Sequence, residues 1–154
     1  MFAQLDTKSV YSFMDSVVDL NSYVERAKEL GYQAIGVMDR DNLYAAYHFA
    51  QLASKNGLRP LIGMEANLFY EGRKIPFRLL AKNNQGYKNL MKLATELSSG
   101  QLEFTAFSDY LNAIALILPS EDWEPGMTLG SEVFIGVRPE DAGKEFDYPV
   151  VPLH

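Results

Sequence analysis

Apolar positions along the chain follow two periods in turn, and their alternation predicts strands interleaved with helices. Phe2 to Thr7 alternates weakly and predicts a short first strand. Leu20, Tyr23, Val24, Ala27 and Leu30 then share one helical face, Ser22 and Glu25 have capping-box spacing, and Gly31 supplies the stop. Gln33 to Met38 is a short apolar run that predicts a buried strand, ended by the polar Asp39 to Asn42. Asp41 is placed to cap a second helix with Leu43, Ala46, Tyr47, Ala50 and Ala53 on its apolar face, closed by Gly57. A third strand, Leu61 to Tyr70, turns at Glu71-Gly72 into a partner from Lys74 to Lys82, which predicts a hairpin. The clearest helical period, Tyr87, Leu90, Met91, Ala94 and Leu97, ends near Gly100. A short helix is expected at Ser108 to Leu111, and buried or half-buried strands at Ala113 to Leu118, Val133 to Val137 and Pro149 to Leu153. The expected class is α/β with a largely parallel sheet, as a barrel or an open sheet. A final strand with no helix after it is read as a sign of truncation.

Composition narrows the chemistry. The 154 residues contain no cysteine and two histidines, with 14 Lys+Arg against 20 Asp+Glu, a net charge of -6. Disulfides, zinc fingers and thiol nucleophiles are excluded, and a reducing cytoplasm is the expected compartment. No segment approaches the roughly 20 apolar residues that span a bilayer, so no membrane partner is expected. The acidic balance disfavours gripping a phosphate backbone. Neither a G-x-G-x-x-G nor a G-x-x-x-x-G-K-[ST] loop is present, and Ser9, Ser12 and Ser16 have no His/Asp relay.

In a parallel α/β fold, chemistry sits where strands end, which selects Asp6, Asp39, Glu65, Lys82 and Pro119. Asp6, Asp15, Asp39, Asp41 and Glu65 have the oxygen donors that suit Mg²⁺ or Mn²⁺ if their loops converge. Each also has a plainer reading: Asp41 as a cap, Asp39 as a turn residue, Asp15 as a loop carboxylate. Glu65 interrupts an apolar strand and needs a metal or a partner, and Arg40 is the obvious local partner. His48, mid-helix beside Tyr47 and Phe49, is read as a packed or surface imidazole.

Five blocks, Gln4-Leu-Asp-Thr7, Tyr11-Ser-Phe-Met-Asp15, Gly36-Val-Met-Asp-Arg-Asp-Asn-Leu43, Pro60-Leu-Ile-Gly-Met-Glu65 and Leu80-Ala-Lys-Asn-Asn-Gln-Gly-Tyr-Lys-Asn-Leu-Met-Lys-Leu93, follow one another in the chain. In order and spacing they resemble the PHP domain that opens bacterial DNA polymerase III alpha subunits, closest to the DnaE type of low-GC Gram-positive bacteria. The resemblance implies part of a distorted seven-stranded β/α (TIM-like) barrel, with residues 1–154 forming a PHP domain incomplete at its C-terminus. It also implies a cluster of up to three metals for phosphoester hydrolysis, held by histidines and carboxylates at strand ends. The matching positions depart from that ligand set. The opening His-Leu-His is Gln4-Leu-Asp6, Asp15 follows two extra residues, Asp-His is Asp39-Arg40, and a histidine position holds Pro76. Another ligand falls near Pro119, and the last lies beyond His154. Only Glu65 keeps its place.

Proline offers no ligand, arginine brings a positive charge, and glutamine is a weak neutral donor. No catalytic residue and no metal is therefore expected in this chain; any metal would fall to Asp15, Glu65 and Asp6. Arg40 is expected to stand where a metal would and to pair with Glu65, Asp15 or Asp6. The resemblance further implies a parent that carries out DNA-directed DNA synthesis with Mg²⁺ in a palm domain outside this chain. The expected partners are the rest of that chain and a proofreading exonuclease or other replisome protein, with DNA met only through the parent. The alternative is a metal-dependent phosphoesterase or 3′–5′ exonuclease working through Asp6, Asp15, Asp39 and Glu65.

Overall fold

The computed structural model describes residues 3–11, 19–130, 132–141 and 143–152. The chain divides into two compact units, Met1–Glu65 and Ala66–His154.

The first unit is a run of parallel strands linked by helices: β1 (Ala3–Gln4), α1 (Leu20–Glu29), β2 (Ala34–Arg40), α2 (Ala46–Lys55) and the first part of β3 (Arg59–Tyr70). β1 lies parallel to β2, and β2 parallel to β3 in a register running from Ala34 opposite Arg59 to Arg40 opposite Glu65. Every residue of β2 before Arg40 is buried, which is why its sequence is a continuous rather than alternating apolar run. Val24 and Ala27 of α1 and Phe49 and Ala53 of α2 pack with Ile35 and Val37, and the Tyr23 ring stacks on Phe49. Tyr23 also ties α1 to the strands: its hydroxyl donates to the Gly36 carbonyl at 3.1 Å and accepts from Thr7 Oγ1 at 3.1 Å.

Three local expectations need correction. The cap of α1 is Asp19, whose carboxylate accepts from the Ser22 backbone N–H and hydroxyl; Ser22 sits three residues too far in to cap. Asp41 caps nothing. α2 starts at Ala46 without a side-chain cap, and Asp41 (φ 53°) turns the chain out of β2 in the left-handed region, its N–H donating to the Glu65 carbonyl at 2.8 Å. Phe49, not Tyr47, completes the buried face of α2; Tyr47 is exposed.

The second unit holds the rest of β3, then β4 (Arg73–Ala81), α3 (Asn84–Ser99), a four-residue α4 (Phe104–Phe107) running into a 3-10 turn (Ser108–Tyr110), β5 (Ile114–Pro119), β6 (Val133–Val137) and β7 (Val150–Pro152). Its sheet order is β3-β4-β5-β6-β7. β5, β6 and β7 run parallel, whereas β4 runs antiparallel to β5 from Arg78 opposite Ile117 to Ala81 opposite Ile114. The expected hairpin accounts for that reversal. Glu71 (φ 48°) and Gly72 (φ 80°) both adopt positive φ, the signature of a two-residue type I′ connection. Among the described residues no helix is long and apolar enough to cross a membrane.

Candidate functional site

The shared register of β2 and β3 brings Arg40, the last residue of β2, beside Glu65, midway along β3. Glu65 follows the fully buried Met64, and its own side chain is only 4% exposed, so an ionised carboxylate there requires countercharge. Two cations supply it, one on each oxygen. Arg40 Nε donates to Oε1 at 2.9 Å and Lys8 Nζ to Oε2 at 3.0 Å. Burial pushes the Glu65 carboxyl up, but hydrogen bonds and charge from Lys8 and Arg40 outweigh it and hold the group below the ordinary glutamate value. The side chains of Lys8 and Arg40 are 22% and 45% exposed, so each cation keeps contact with water and the ensemble avoids most of the desolvation penalty of a dry ion pair.

Asp39, one residue earlier, is buried and held differently. Its Oδ1 accepts from the Ser9 N–H and its Oδ2 from the Ser9 hydroxyl, both at 2.7 Å, while Ser9 Oγ accepts from the Tyr11 N–H at 3.2 Å. The loop after β1 is thereby fastened across the strand ends. Thr7 accepts from the Met38 N–H, Ser9 grips Asp39, and Lys8 reaches Glu65. Gln4 lies in β1 opposite Ile35, and Asp6 lies in the loop that carries Lys8 and Ser9. Pro76 lies in β4 of the second unit, Lys82 pairs with Glu132, and Asp15 and His154 fall outside the described residues.

Lys8 and Ser9 were not among the residues singled out for this site. A lysine two residues past Asp6 carries no signal in sequence that its side chain folds back to β3, and Ser9 drew notice only as a possible nucleophile.

The metal cluster implied by the resemblance does not fit this donor set. Both Glu65 oxygens face cations, both Asp39 oxygens accept hydrogen bonds from Ser9, and Arg40 brings a guanidinium, which cannot act as a ligand, to where a second ligand is needed. Among the described residues, no group of three or more His, Asp or Glu side chains is arranged to hold an ion.

The block around Gln85 to Leu90 is accounted for by architecture. Asn83 caps α3 by accepting from the Gln85 and Gly86 N–H groups. A Cβ at Gly86 would stand 2.1 Å from the Ala113 carbonyl oxygen, so only glycine lets the helix approach the residue before β5. One turn on, buried Asn89 donates to the carbonyls of Tyr110 and Asn112 at 2.9 and 3.0 Å and accepts from Gln85 Nε2. Leu90 and Leu93 complete the buried stripe, while Met91, expected on that face, is half exposed.

Parallel strands with carboxylates at their C-terminal ends define an α/β scaffold of the class whose chemistry sits at strand ends. The family profile of the PHP domain matches residues 4–124, and the chain belongs to the PHP domain family. A DNA polymerase III subunit alpha from Streptococcus pyogenes serotype M1 is 50% identical over 137 residues, 89% of this chain and 13% of that protein. The DNA polymerase III subunit alpha of Bacillus subtilis (strain 168) is 32% identical over 126 residues, 78% of this chain and 11% of that protein. The chain thus spans about an eighth of the length of the curated relatives it matches. Among solved structures, an amidohydrolase from Chromobacterium violaceum shares the fold with a TM-score of 0.54 at 12% identity, over 80% of this chain and 69% of that one.

Proposed function

We propose that this chain is the opening PHP-domain portion of a replicative DNA polymerase III alpha subunit and serves it as a non-hydrolytic scaffold. One observation carries the reading: Glu65, the family ligand position that keeps its place, has a cation on each oxygen, Lys8 at 3.0 Å and Arg40 at 2.9 Å. A carboxylate with a cation on each oxygen attracts a metal far less than a free one, and a bound metal is what activates water in metal-dependent phosphoester hydrolysis. Template-directed synthesis, with its Mg²⁺, belongs in this reading to a palm domain elsewhere in the parent. DNA is met through that parent, and the rest of the polypeptide is the first partner. A proofreading exonuclease or another replisome protein is a second. The net charge of -6 favours a protein-facing role.

The test is incubation of the full subunit with labelled single-stranded DNA and Mn²⁺, alongside Zn²⁺ or Mn²⁺ soaks read by anomalous diffraction. No nuclease activity that depends on Glu65 and no ordered ion at Glu65 are expected. Cleavage that disappears in Glu65→Ala, or a metal bound by Glu65 and Asp15, would establish instead the phosphoesterase or exonuclease alternative. Sequence of the same gene beyond His154 tests the parentage, since a polymerase palm is expected there.

A further inference from the structure

The second unit holds a cavity of about 480 Å³ that no side chain of its core fills. It lies where β5 and β6 begin, lined by Ile114 and Val133, whereas chemistry in this class of fold sits where parallel strands end. Its wall is apolar, with buried Phe104 and Leu129 and half-buried Leu111. Asn112 and Thr128 line its exposed rim, and their side-chain amide and hydroxyl bond to no other described residue. Glu132, also at the rim, has its charge cancelled by Lys82.

The two loops that frame the cavity are fixed from outside it. Residues 110–113 are held by Asn89, through the Tyr110 and Asn112 carbonyls, and by the Lys82 N–H, which donates to the Ala113 carbonyl at 3.0 Å. Ala113 is thereby kept at φ 64°, a left-handed conformation that alanine rarely adopts. Residues 127–130 are held by two tyrosines: the Tyr70 hydroxyl accepts from the Thr128 N–H at 2.9 Å, and the Tyr148 hydroxyl donates to the Met127 carbonyl at 3.0 Å. Among the described residues no hydrogen bond joins one loop to the other. The frame keeps the gap open, and the apolar atoms that face it lack partners for dispersion contact. A preformed apolar cavity of this size with a few polar groups at its edge has the form of a small-molecule site.

We infer that this cavity binds a small uncharged aromatic molecule, its ring against the apolar wall and an amide-like edge at Asn112 and Thr128. Charge is excluded because an ionised group would lose water beside Leu111 and Leu129, while Lys82 and Glu132 already neutralise each other. A ring suits the wall because Phe104 already stacks on Phe77 at 4.9 Å and meets Tyr70 edge to face at 5.7 Å, so a further ring extends an existing aromatic cluster. The edge follows from donor count: an asparagine amide and a threonine hydroxyl each donate and accept, as a carboxamide does. The inference stands apart from the scaffold reading, whose centre lies in the first unit.

The experiment uses the full-length protein, with benzophenone, an uncharged aromatic ketone, as photolabel and 2-naphthamide as competitor. Irradiation is expected to label Leu111 and Leu129 saturably, read by peptide mass mapping. 2-Naphthamide is expected to displace the label, and the anionic 2-naphthoate to do so at roughly tenfold higher concentration. Asn112→Ala should weaken 2-naphthamide roughly fivefold, the worth of one hydrogen bond, and Thr128→Trp, which fills the mouth, should abolish labelling of both leucines. Labelling that does not saturate, equal displacement by 2-naphthoate in the unmodified protein, or labelling of Leu129 undiminished in Thr128→Trp would each overturn the inference. Unchanged 2-naphthamide affinity in Asn112→Ala would overturn the assignment of the polar edge.

Discussion

Midway along β3, Glu65 is held by two long side chains whose charged ends reach water; within α3, Asn89 is held by two main-chain carbonyls and Gly86 by a gap that only hydrogen fills. Both regions bury a polar group, yet their tolerance of change differs. Lysine and arginine can swing outward and be solvated if their partner is lost, and water can follow them to the strand ends. The carbonyls of Tyr110, Asn112 and Ala113 belong to the backbone and have nowhere to go. A site made of side chains can therefore be rebuilt residue by residue, whereas one made of main chain stays as it is. That contrast bears on the expectation drawn from the resemblance, in which residues 80–93 keep the family pattern while ligand positions fall on Gln4, Arg40 and Pro76.

The contrast breaks most readily at Gly86. In Gly86→Ala the new methyl meets a backbone oxygen at 2.1 Å, and a loss of ~3 kcal/mol or more in urea unfolding is expected. A loss below about 1 kcal/mol would mean that the helix slides freely and that its approach is not fixed. Asn89→Ala takes the buried donor from the carbonyls of half-buried Tyr110 and exposed Asn112 and is expected to lower stability by about 2 kcal/mol in the same measurement. Glu65→Gln keeps the shape and removes the charge between two partly solvated cations, for an expected loss of about 1–2 kcal/mol.

The last variant carries a pH signature. The folded pKa of Glu65 is depressed, so its contribution is fully present above the unfolded value near ~4.3 and fades as the pH falls through the lower folded value. The stability difference between the parent chain and Glu65→Gln should be flat near neutrality and shrink in that acid window; a difference that grows with acidity would refute the ion pairs. The smallest effects separate the two cations. Lys8→Met should destabilise more than Arg40→Met, by a few tenths of a kcal/mol, because Lys8 is the less exposed of the two.

The sequence carried the elements well where one signal dominated. The continuous apolar run of β2, the period of α3 and the Glu71-Gly72 turn each have one physical cause and can be read directly. Helix starts were harder, since Asp19, Ser22 and Asp41 are all competent caps and only the direction in which the chain enters decides among them. Of the site, the Arg40–Glu65 pair was legible because Arg40 closes one buried strand and Glu65 interrupts the next. Lys8 and Ser9 were not, because a loop's path over a sheet depends on tertiary packing that no local pattern encodes. Nor was the purpose of Gly86 and Asn89, whose partners lie 21 to 27 residues further along the chain.

The pairing of Glu65 with Lys8 and Arg40 has a consequence for how the domain is supplied. A metal must be acquired from a pool that rises and falls with growth conditions, whereas a side-chain cation is made by the ribosome in fixed proportion to the carboxylate it serves. The charge of Glu65 is thus balanced from within the chain as soon as translation is complete.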